Sequence, residues 1–375
     1  KVTTMSGERV FIIAGKRSAV APRSGVFASL TYYDLAAQVV IDALKEAKMD
    51  KIEVDELIVS NALGAGGNPA RMVSLEAKLN LSVGGISIDR QCCGGLDAIS
   101  IGADLIKSGR AEVVVAGGVE SYSTRPVRLH PENSEKPLVA YDRPAFAPVG
   151  FNDPNLDEAT AKLARKFGIS KKEQDDWSIN SHLKALKSAE ILKYEITPIL
   201  NQTHDLFTRE LNQKICERAP KLSDTITYAN SSIAADAAGF VVLVSEHFLK
   251  NKMCKGVEVL GSATSGVLPE EAPLAPVGAI KALLDQKEIS LSKVAFIELM
   301  EAYAAQAILC ARLCDLDLDK VNIRGGALSR GHPIGASGAI LAVRLFNELI
   351  KTPRATGIAA IAAAGGIGSA MVLKS

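Results

Sequence analysis

Two segments of this 375-residue chain carry residue types that could do covalent chemistry. The first is Asp89-Arg90-Gln91-Cys92-Cys93-Gly94-Gly95-Leu96, where a cysteine stands at the change from a strand pattern to a helix pattern, beside two glycines. The glycines let the chain bend sharply and let a ligand come close. Near a helix's first turn, unpaired N–H groups and the helix dipole favour a thiolate, the nucleophilic form of cysteine. A small cysteine packed away before a helix gives the same pattern, so this segment alone leaves both readings open. The second segment is Gly325-Gly326-Ala327-Leu328-Ser329-Arg330-Gly331-His332-Pro333-Ile334-Gly335-Ala336-Ser337-Gly338. It holds one of only five histidines, in a turn walled by glycines just before a helix. Pro333 restricts the backbone there, and a helix start disfavours a cation, which keeps His332 neutral and able to accept a proton. The alternative is a helix-capping histidine; the glycine density, which leaves the ring reachable, favours function.

The elements that would position these residues are those of an α/β protein. Short apolar, β-branched runs alternate with longer amphipathic patterns, the signature of a parallel-sheet architecture. Strands are expected at 10–14, 56–60, 86–88 and 112–116, the last ended by Gly117-Gly118, with helices over 30–49, 69–79 and 96–108. A similar order returns later: strands at 294–299, 321–323, 357–363 and 369–373, helices over 302–314 and 335–350, and a tight turn at Gly365-Gly366. The two halves look like a duplicated α/β unit. Between them, residues 122–229 change character, with clustered proline, charge and aromatics and a charged helix over 171–189 that holds Trp177. This reads as an inserted subdomain, placed where α/β proteins put substrate-covering elements.

Composition narrows the function classes. An apolar fraction of 47% supports full-sized cores, and the length admits two or three domains. Forty-three basic against 42 acidic residues give a net charge of +1, without a basic block, so no nucleic-acid partner is expected. No apolar run approaches the ~18–20 residues of a membrane helix, and no signal-peptide pattern is visible, so the expectation is a cytoplasmic protein with no membrane partner. The six cysteines form neither a disulfide framework nor paired zinc-type clusters, and Cys310 and Cys314 read as buried apolar cysteines. No metal, flavin or nicotinamide site is evident; Gly64, Gly66 and Gly67 lack the context of a nucleotide fingerprint.

Taken together, these segments resemble the thiolase family, the acetyl-CoA acyltransferases, nearly end to end. The likeness is carried, in the family's order and spacing, by Ala14-Gly15-Lys16-Arg17-Ser18, residues 61–71, Gln91-Cys92-Cys93-Gly94-Gly95-Leu96 and Gly117-Gly118-Val119-Glu120-Ser121. It continues through residues 229–236, Glu301-Ala302-Tyr303-Ala304-Ala305-Gln306, the run from Gly325 to Gly338 and the glycine turn near Gly365. The resemblance implies a thiolase-like duplicated α-β-α-β-α layered fold around two central buried helices. In it, residues 1–121 with 230–250 form the first half, 122–229 an inserted loop domain and 251–375 the second half. It also implies an acyl-CoA C-acyltransferase of fatty acid metabolism that forms an acyl-enzyme from acetyl-CoA or a 3-ketoacyl-CoA. Coenzyme A thioesters would be its substrates, with no further cofactor, and the active form a homodimer or homotetramer. By position, Cys92 matches the acyl-accepting nucleophile, and His332 the histidine that activates it and helps form an oxyanion hole. Ser232 matches a serine beside the pantetheine arm. The second oxyanion hole would use the backbone N–H groups of Cys92 and of Ala364, where the family usually has glycine. Arg125, Arg128, Lys136 and Arg143 fall where the family meets the phosphates of coenzyme A, and read more simply as a solvated face.

The implied chemistry needs two carbonyl sites, because losing one oxyanion donor costs on the order of 10²–10³ in rate. It also needs a second acid/base to protonate the departing carbanion. Here the chain departs from the family. The cysteine that does this would fall at Ala362, in Ala359-Ala360-Ile361-Ala362-Ala363-Ala364-Gly365-Gly366, and Met300 replaces an asparagine that holds the water of the first oxyanion hole. Three functions compete: a thiolase whose proton comes from another group, with Cys93 and Glu301 as nearby candidates; acyl transfer or hydrolysis without carbon–carbon chemistry; and a non-catalytic subunit that binds acyl-CoA or a partner.

Overall fold

The structure, a computed structural model, describes residues 8–64, 66–130 and 138–375. Its apolar runs become strands, most of them buried on both faces: β1 (Val10–Ser18), β2 (Glu56–Ser60), β3 (Ile86–Ile88), β4 (Val113–Glu120), β5 (Ala235–Ser245), β6 (Val257–Gly266), β7 (Val294–Leu299), β8 (Thr356–Ala363) and β9 (Ile367–Lys374), with β3 and β6 partly exposed. Among the described residues they form one sheet in the order β7-β8-β9-β6-β1-β5-β4-β2-β3, with two short strands pairing at its side. The outer pairs are parallel, β4 with β2, β2 with β3 and β7 with β8. The middle is antiparallel, β5 against both β1 and β4, and β6 against both β1 and β9. The sheet is therefore mixed, not parallel as the alternating pattern predicted. An unbroken apolar run such as β5 has no face-to-face alternation, and nothing in such a run sets its direction.

Only two residue pairs join β1 to β6, Phe11 with Glu258 and Ile12 with Val257, so the sheet divides there into two sub-sheets. Between them lie α3 (Gly94–Lys107) and α6 (Ile334–Leu349), each packed on strands of both sub-sheets. Leu96, Ile99 and Ile106 of α3 and Leu341 and Leu345 of α6 share one apolar cluster. Helices α1 (Tyr32–Glu46) and α2 (Pro69–Glu76) cover the outer face of the first sub-sheet. Helices α4 (Ala275–Gln286) and α5 (Ala304–Leu313) cover the outer face of the second. The layers thus run α-β-α-β-α.

Contacts between backbones bring the two central helices together. A Cβ on Gly95 would lie 2.6 Å from Ala339 N, and one on Gly338 would lie 2.5 Å from Leu96 N. Gly117 and Gly118, expected to end β4, sit inside it instead. A Cβ on Gly117 would lie 2.0 Å from Gly239 O, and one on Gly118 1.9 Å from Gly335 O, so β4 stays free of side chains where β5 and the start of α6 press on it. The strand expected at 321–323 reduces to one bridge, Ile297 with Val321. Asn322, at φ +45°, supplies the missing pairing with its side chain: Oδ1 accepts from Leu299 N and Nδ2 donates to Leu299 O, each at 2.8 Å.

Two carboxylates from the 122–229 segment bind arginines of both halves. Arg17 on β1 is fully buried and gives Nε to Glu195 (2.7 Å) and a two-pronged contact to Asp205 (2.7 and 3.0 Å). Arg344 on α6 meets the other oxygen of Glu195 and also Glu348 (2.7 Å). The two buried guanidiniums thus face three carboxylates, Glu195, Asp205 and Glu348, so neither cation is left unpaired.

Gly118→Ala is expected to destabilise the fold by roughly 1–3 kcal/mol, because its methyl must push the start of α6 off β4. Thermal unfolding reads this directly, and an unchanged melting temperature would contradict the close contact.

Candidate active site

Cys92 sits in a single 3-10 turn, Gln91–Cys93, that feeds into α3. Gln91 at φ +52° makes the bend, and the Asp89 carboxylate holds it by accepting from Gln91 N–H at 2.9 Å. His332 precedes α6 in the other half, its backbone N–H donating to Ile233 O at 2.7 Å. Both residues therefore stand at the N-terminal ends of the two central helices, and the ring Nε2 lies 3.1 Å from Cys92 Sγ.

The hydrogen-bond chain assigns the tautomer. Ser337 Oγ donates its one hydrogen to Pro333 O, 2.9 Å away, so it must accept from His332 Nδ1–H, 2.6 Å away. Nε2 is left as an acceptor, and the thiol points its hydrogen at it. Burial pushes the Cys92 thiol up to about 12, although the backbone N–H groups of Cys92 and Ala364 pull the other way. Burial also pulls the His332 imidazolium down to about 4. The resting pair is a neutral thiol and a neutral imidazole. The helix-dipole argument expected a thiolate; taking the sulfur out of water costs more than the dipole and its N–H groups return.

Around the pair opens a cavity of about 320 Å³, lined among others by Tyr122, Ser232, Tyr303, Ala362 and Ala364. Ser232 is fixed by donating from both N (2.9 Å) and Oγ (3.1 Å) to Ala302 O. Cys92, His332, Ser232 and Ala364 thus meet at one cavity.

Ala362, Met300 and the two candidate proton donors are placed equally plainly. Ala362 puts a methyl into the cavity wall. Met300 is buried in the apolar cluster behind Cys92, its N–H on Ala360 O at 2.9 Å. Glu301 is not free to act as a proton donor: it accepts from Trp177 Nε1 (3.0 Å), Ser181 Oγ (2.8 Å), Asn322 Nδ2 (2.8 Å) and Leu328 N (3.2 Å), and it does not line the cavity. Cys93 turns its sulfur to Ile361 O, 3.5 Å away, also outside the cavity lining.

Two positioning residues escaped the sequence reading. Ser337 lies in the first turn of α6, five residues beyond His332 and one turn beyond Pro333, a spacing that signals it in hindsight. Glu120 ends β4 fully buried and accepts from Ala62 N (3.0 Å), Leu63 N (3.1 Å), Asn61 Nδ2 (3.0 Å) and Gly335 N (2.9 Å). It ties the first half's loop to the start of α6, and burial pushes its carboxyl up to about 7 against those N–H bonds. Of the basic residues, Arg125 pairs with Asp142 (2.6 Å) and lies 5.5 Å from the Tyr122 ring centroid. Arg143 pairs with Asp153 (2.6 Å), Arg128 donates to Ala62 O, and Lys136 lies outside the described residues.

Comparison with known proteins agrees with this fold. Residues 10–247 match the family described as "Thiolase, N-terminal domain", and residues 255–375 match "Thiolase, C-terminal domain". The chain belongs to the thiolase family. It is 35% identical over 373 residues to the Bacillus subtilis protein YhfS, covering 97% of this chain and 98% of that one. Its fold is similar to the Bacillus anthracis acetyl-CoA acetyltransferase, with TM-score 0.90 and 30% identity over 98% of this chain and 99% of that one. It is equally similar to the Acat5 thiolase of Ascaris suum in complex with coenzyme A, with TM-score 0.89 and 30% identity over 98% and 100%.

Two outcomes follow from the neutral pair. Alkylation of Cys92 by iodoacetamide should accelerate about tenfold per unit from roughly pH 7 to 10, because the thiolate fraction grows that way below a raised pKa; a plateau below about pH 8 contradicts it. Ser337→Ala removes about 1 kcal/mol of ring orientation and should slow acylation of Cys92 roughly five- to tenfold in single-turnover assays, while an unchanged rate would leave the tautomer without its anchor.

Proposed function

We propose that the chain is a thiolase-type acyl-CoA C-acyltransferase that carries its acyl group on Cys92. The observation that carries this reading is the Cys92 Sγ–His332 Nε2 contact of 3.1 Å inside a cavity that Ala364 also lines. As Sγ attacks a thioester or 3-keto carbonyl carbon, the thiol proton passes to Nε2. The charge that develops on the carbonyl oxygen meets the N–H groups of Cys92 and Ala364, which need no reorganisation. Ser337 holds Nδ1–H throughout, and the imidazolium, disfavoured by burial, returns its proton to a departing thiolate, that of coenzyme A on acylation by acetyl-CoA or that of Cys92 when the acyl group moves on.

The same reading takes Ser232 as a contact for the pantetheine arm, coenzyme A thioesters as substrates without another cofactor, and a cytoplasmic homodimer or homotetramer. It divides the chain into a first half (1–121 and 230–250), a loop domain (122–229) and a second half (251–375). A second reading is favoured by the Ala362 methyl in the cavity wall: acyl transfer or hydrolysis without carbon–carbon cleavage.

Intact-mass measurement after incubation with acetyl-CoA or acetoacetyl-CoA tests the proposal. One added acetyl group mapped to Cys92 is expected, absent in Cys92→Ser and formed ~10²–10⁴-fold more slowly in His332→Ala. No adduct in the native chain would contradict it and leave a binding role. Cleavage of acetoacetyl-CoA by free coenzyme A separates the two catalytic readings.

A further inference from the structure

Carbon–carbon cleavage leaves a carbanion that must receive a proton, and neither Glu301 nor Cys93 reaches the cavity to give one. Among the described residues lining that cavity, four side chains carry a titratable proton: Cys92, His332, Tyr122 and Tyr303. The first two are committed to the nucleophilic step. Neither phenol oxygen has a hydrogen-bond partner among the described residues, so both are free to meet a ligand.

Their surroundings separate the two tyrosines. Arg125 places its guanidinium 5.5 Å from the Tyr122 ring centroid, a cation that stabilises a phenolate, and its backbone-held position is shared with Asp142. Tyr303 has the carboxylate of Asp157 as its leading charged neighbour, which opposes loss of its proton. Burial does most to hold the proton on Tyr122, and the Cys92 sulfur and the Glu120 carboxylate add to it, but Arg125 opposes them, whereas among the described residues no cation opposes Asp157 at Tyr303.

Resting on the acyl-enzyme reading above, we propose that Tyr122 takes the place of the cysteine missing at Ala362 and gives its phenolic proton to the departing α-carbon. In thiolysis, the Cys92 proton moves to His332 Nε2 and Sγ bonds to the 3-keto carbon. The bond between that carbon and the α-carbon then breaks, and its electron pair stays on the α-carbon as the thioester enolate. The Tyr122 O–H proton goes to this carbon, which leaves acetyl-CoA and a phenolate beside Arg125. The next coenzyme A thiol gives its proton to the phenolate as its sulfur attacks the acyl-enzyme. Cys92 leaves and recovers its proton from His332. Nothing is oxidised or reduced, and the site returns to its starting state. Burial pushes the Tyr122 phenol above its ordinary range, so the proton is in place at neutral pH and the phenolate readily takes one from a thiol.

Tyr122→Phe removes the O–H and keeps the ring beneath Arg125. With the native chain and Tyr303→Phe alongside, two readouts are taken on each protein: acetylation of Cys92 by acetyl-CoA, and cleavage of acetoacetyl-CoA by coenzyme A. The expected result is that Tyr122→Phe is still acetylated on Cys92 but loses cleavage by about 10²-fold or more, and that Tyr303→Phe loses far less. Cleavage at the native rate in Tyr122→Phe, or the larger loss in Tyr303→Phe, overturns the assignment. A native chain that is acetylated yet does not cleave acetoacetyl-CoA also overturns it, with the acyl-enzyme reading intact. A native chain that is never acetylated overturns that reading instead.

Discussion

The thiol of Cys92 and the imidazole of His332 are 240 residues apart in the chain and one hydrogen bond apart in space, and this bond sets what the rest of the fold must do. It forms only if two helices from different halves begin at the same point. Ordinary side chains would hold α3 and α6 well apart; glycines at 95 and 338 let the two backbones touch, and Gly118 lets α6 start against β4. The layered architecture can be read as the means of burying that crossing between two sub-sheets. Burial then decides the ionisation. Separated charges in such a site need several hydrogen bonds each to offset desolvation, and the pair has few, so both groups rest uncharged and the proton moves only when a substrate carbonyl arrives to take the negative charge.

Polar groups that never touch the cavity do the positioning. Glu120 collects four N–H donors from the loop after β2 and from the first turn of α6, so it fixes one half of the site against the other. Glu301 plays a comparable part on the far side, joining the helix Lys171–Lys187, Asn322 and the turn before Arg330. Arg17 and Arg344, through Glu195 and Asp205, secure the 122–229 segment to both halves. Each carboxylate is a residue that an apolar-pattern reading passes over, yet each is where separate segments are joined.

What could be read beforehand was whatever depended on local chemistry. The glycine-walled turns at Cys92 and His332, the strands at 56–60 and 294–299 and the charged helix beginning at Lys171 follow from composition within a few residues of each. What escaped depends on distant neighbours. Gly117 and Gly118 look like a strand end, and become strand interior only because Gly239 and Gly335 approach from other parts of the chain. The eleven-residue strand Ala235–Ser245, which turns the sheet from parallel to mixed, lacks alternation because both its faces are covered. The resting state of Cys92 was misjudged for the same reason: the helix start is visible in the sequence, the loss of water around the sulfur is not. Ser337 needed the helix to be in place before its spacing from His332 meant anything.

The central claim is that His332 rests uncharged, with its proton on Nδ1. Nitrogen-15 NMR of the protein with labelled histidine reads both properties at once. The account requires a neutral ring, protonated at Nδ1 and bare at Nε2, with no titration until the pH falls toward about 4. An imidazolium signal near neutral pH, or a neutral ring carrying its hydrogen on Nε2, would contradict it.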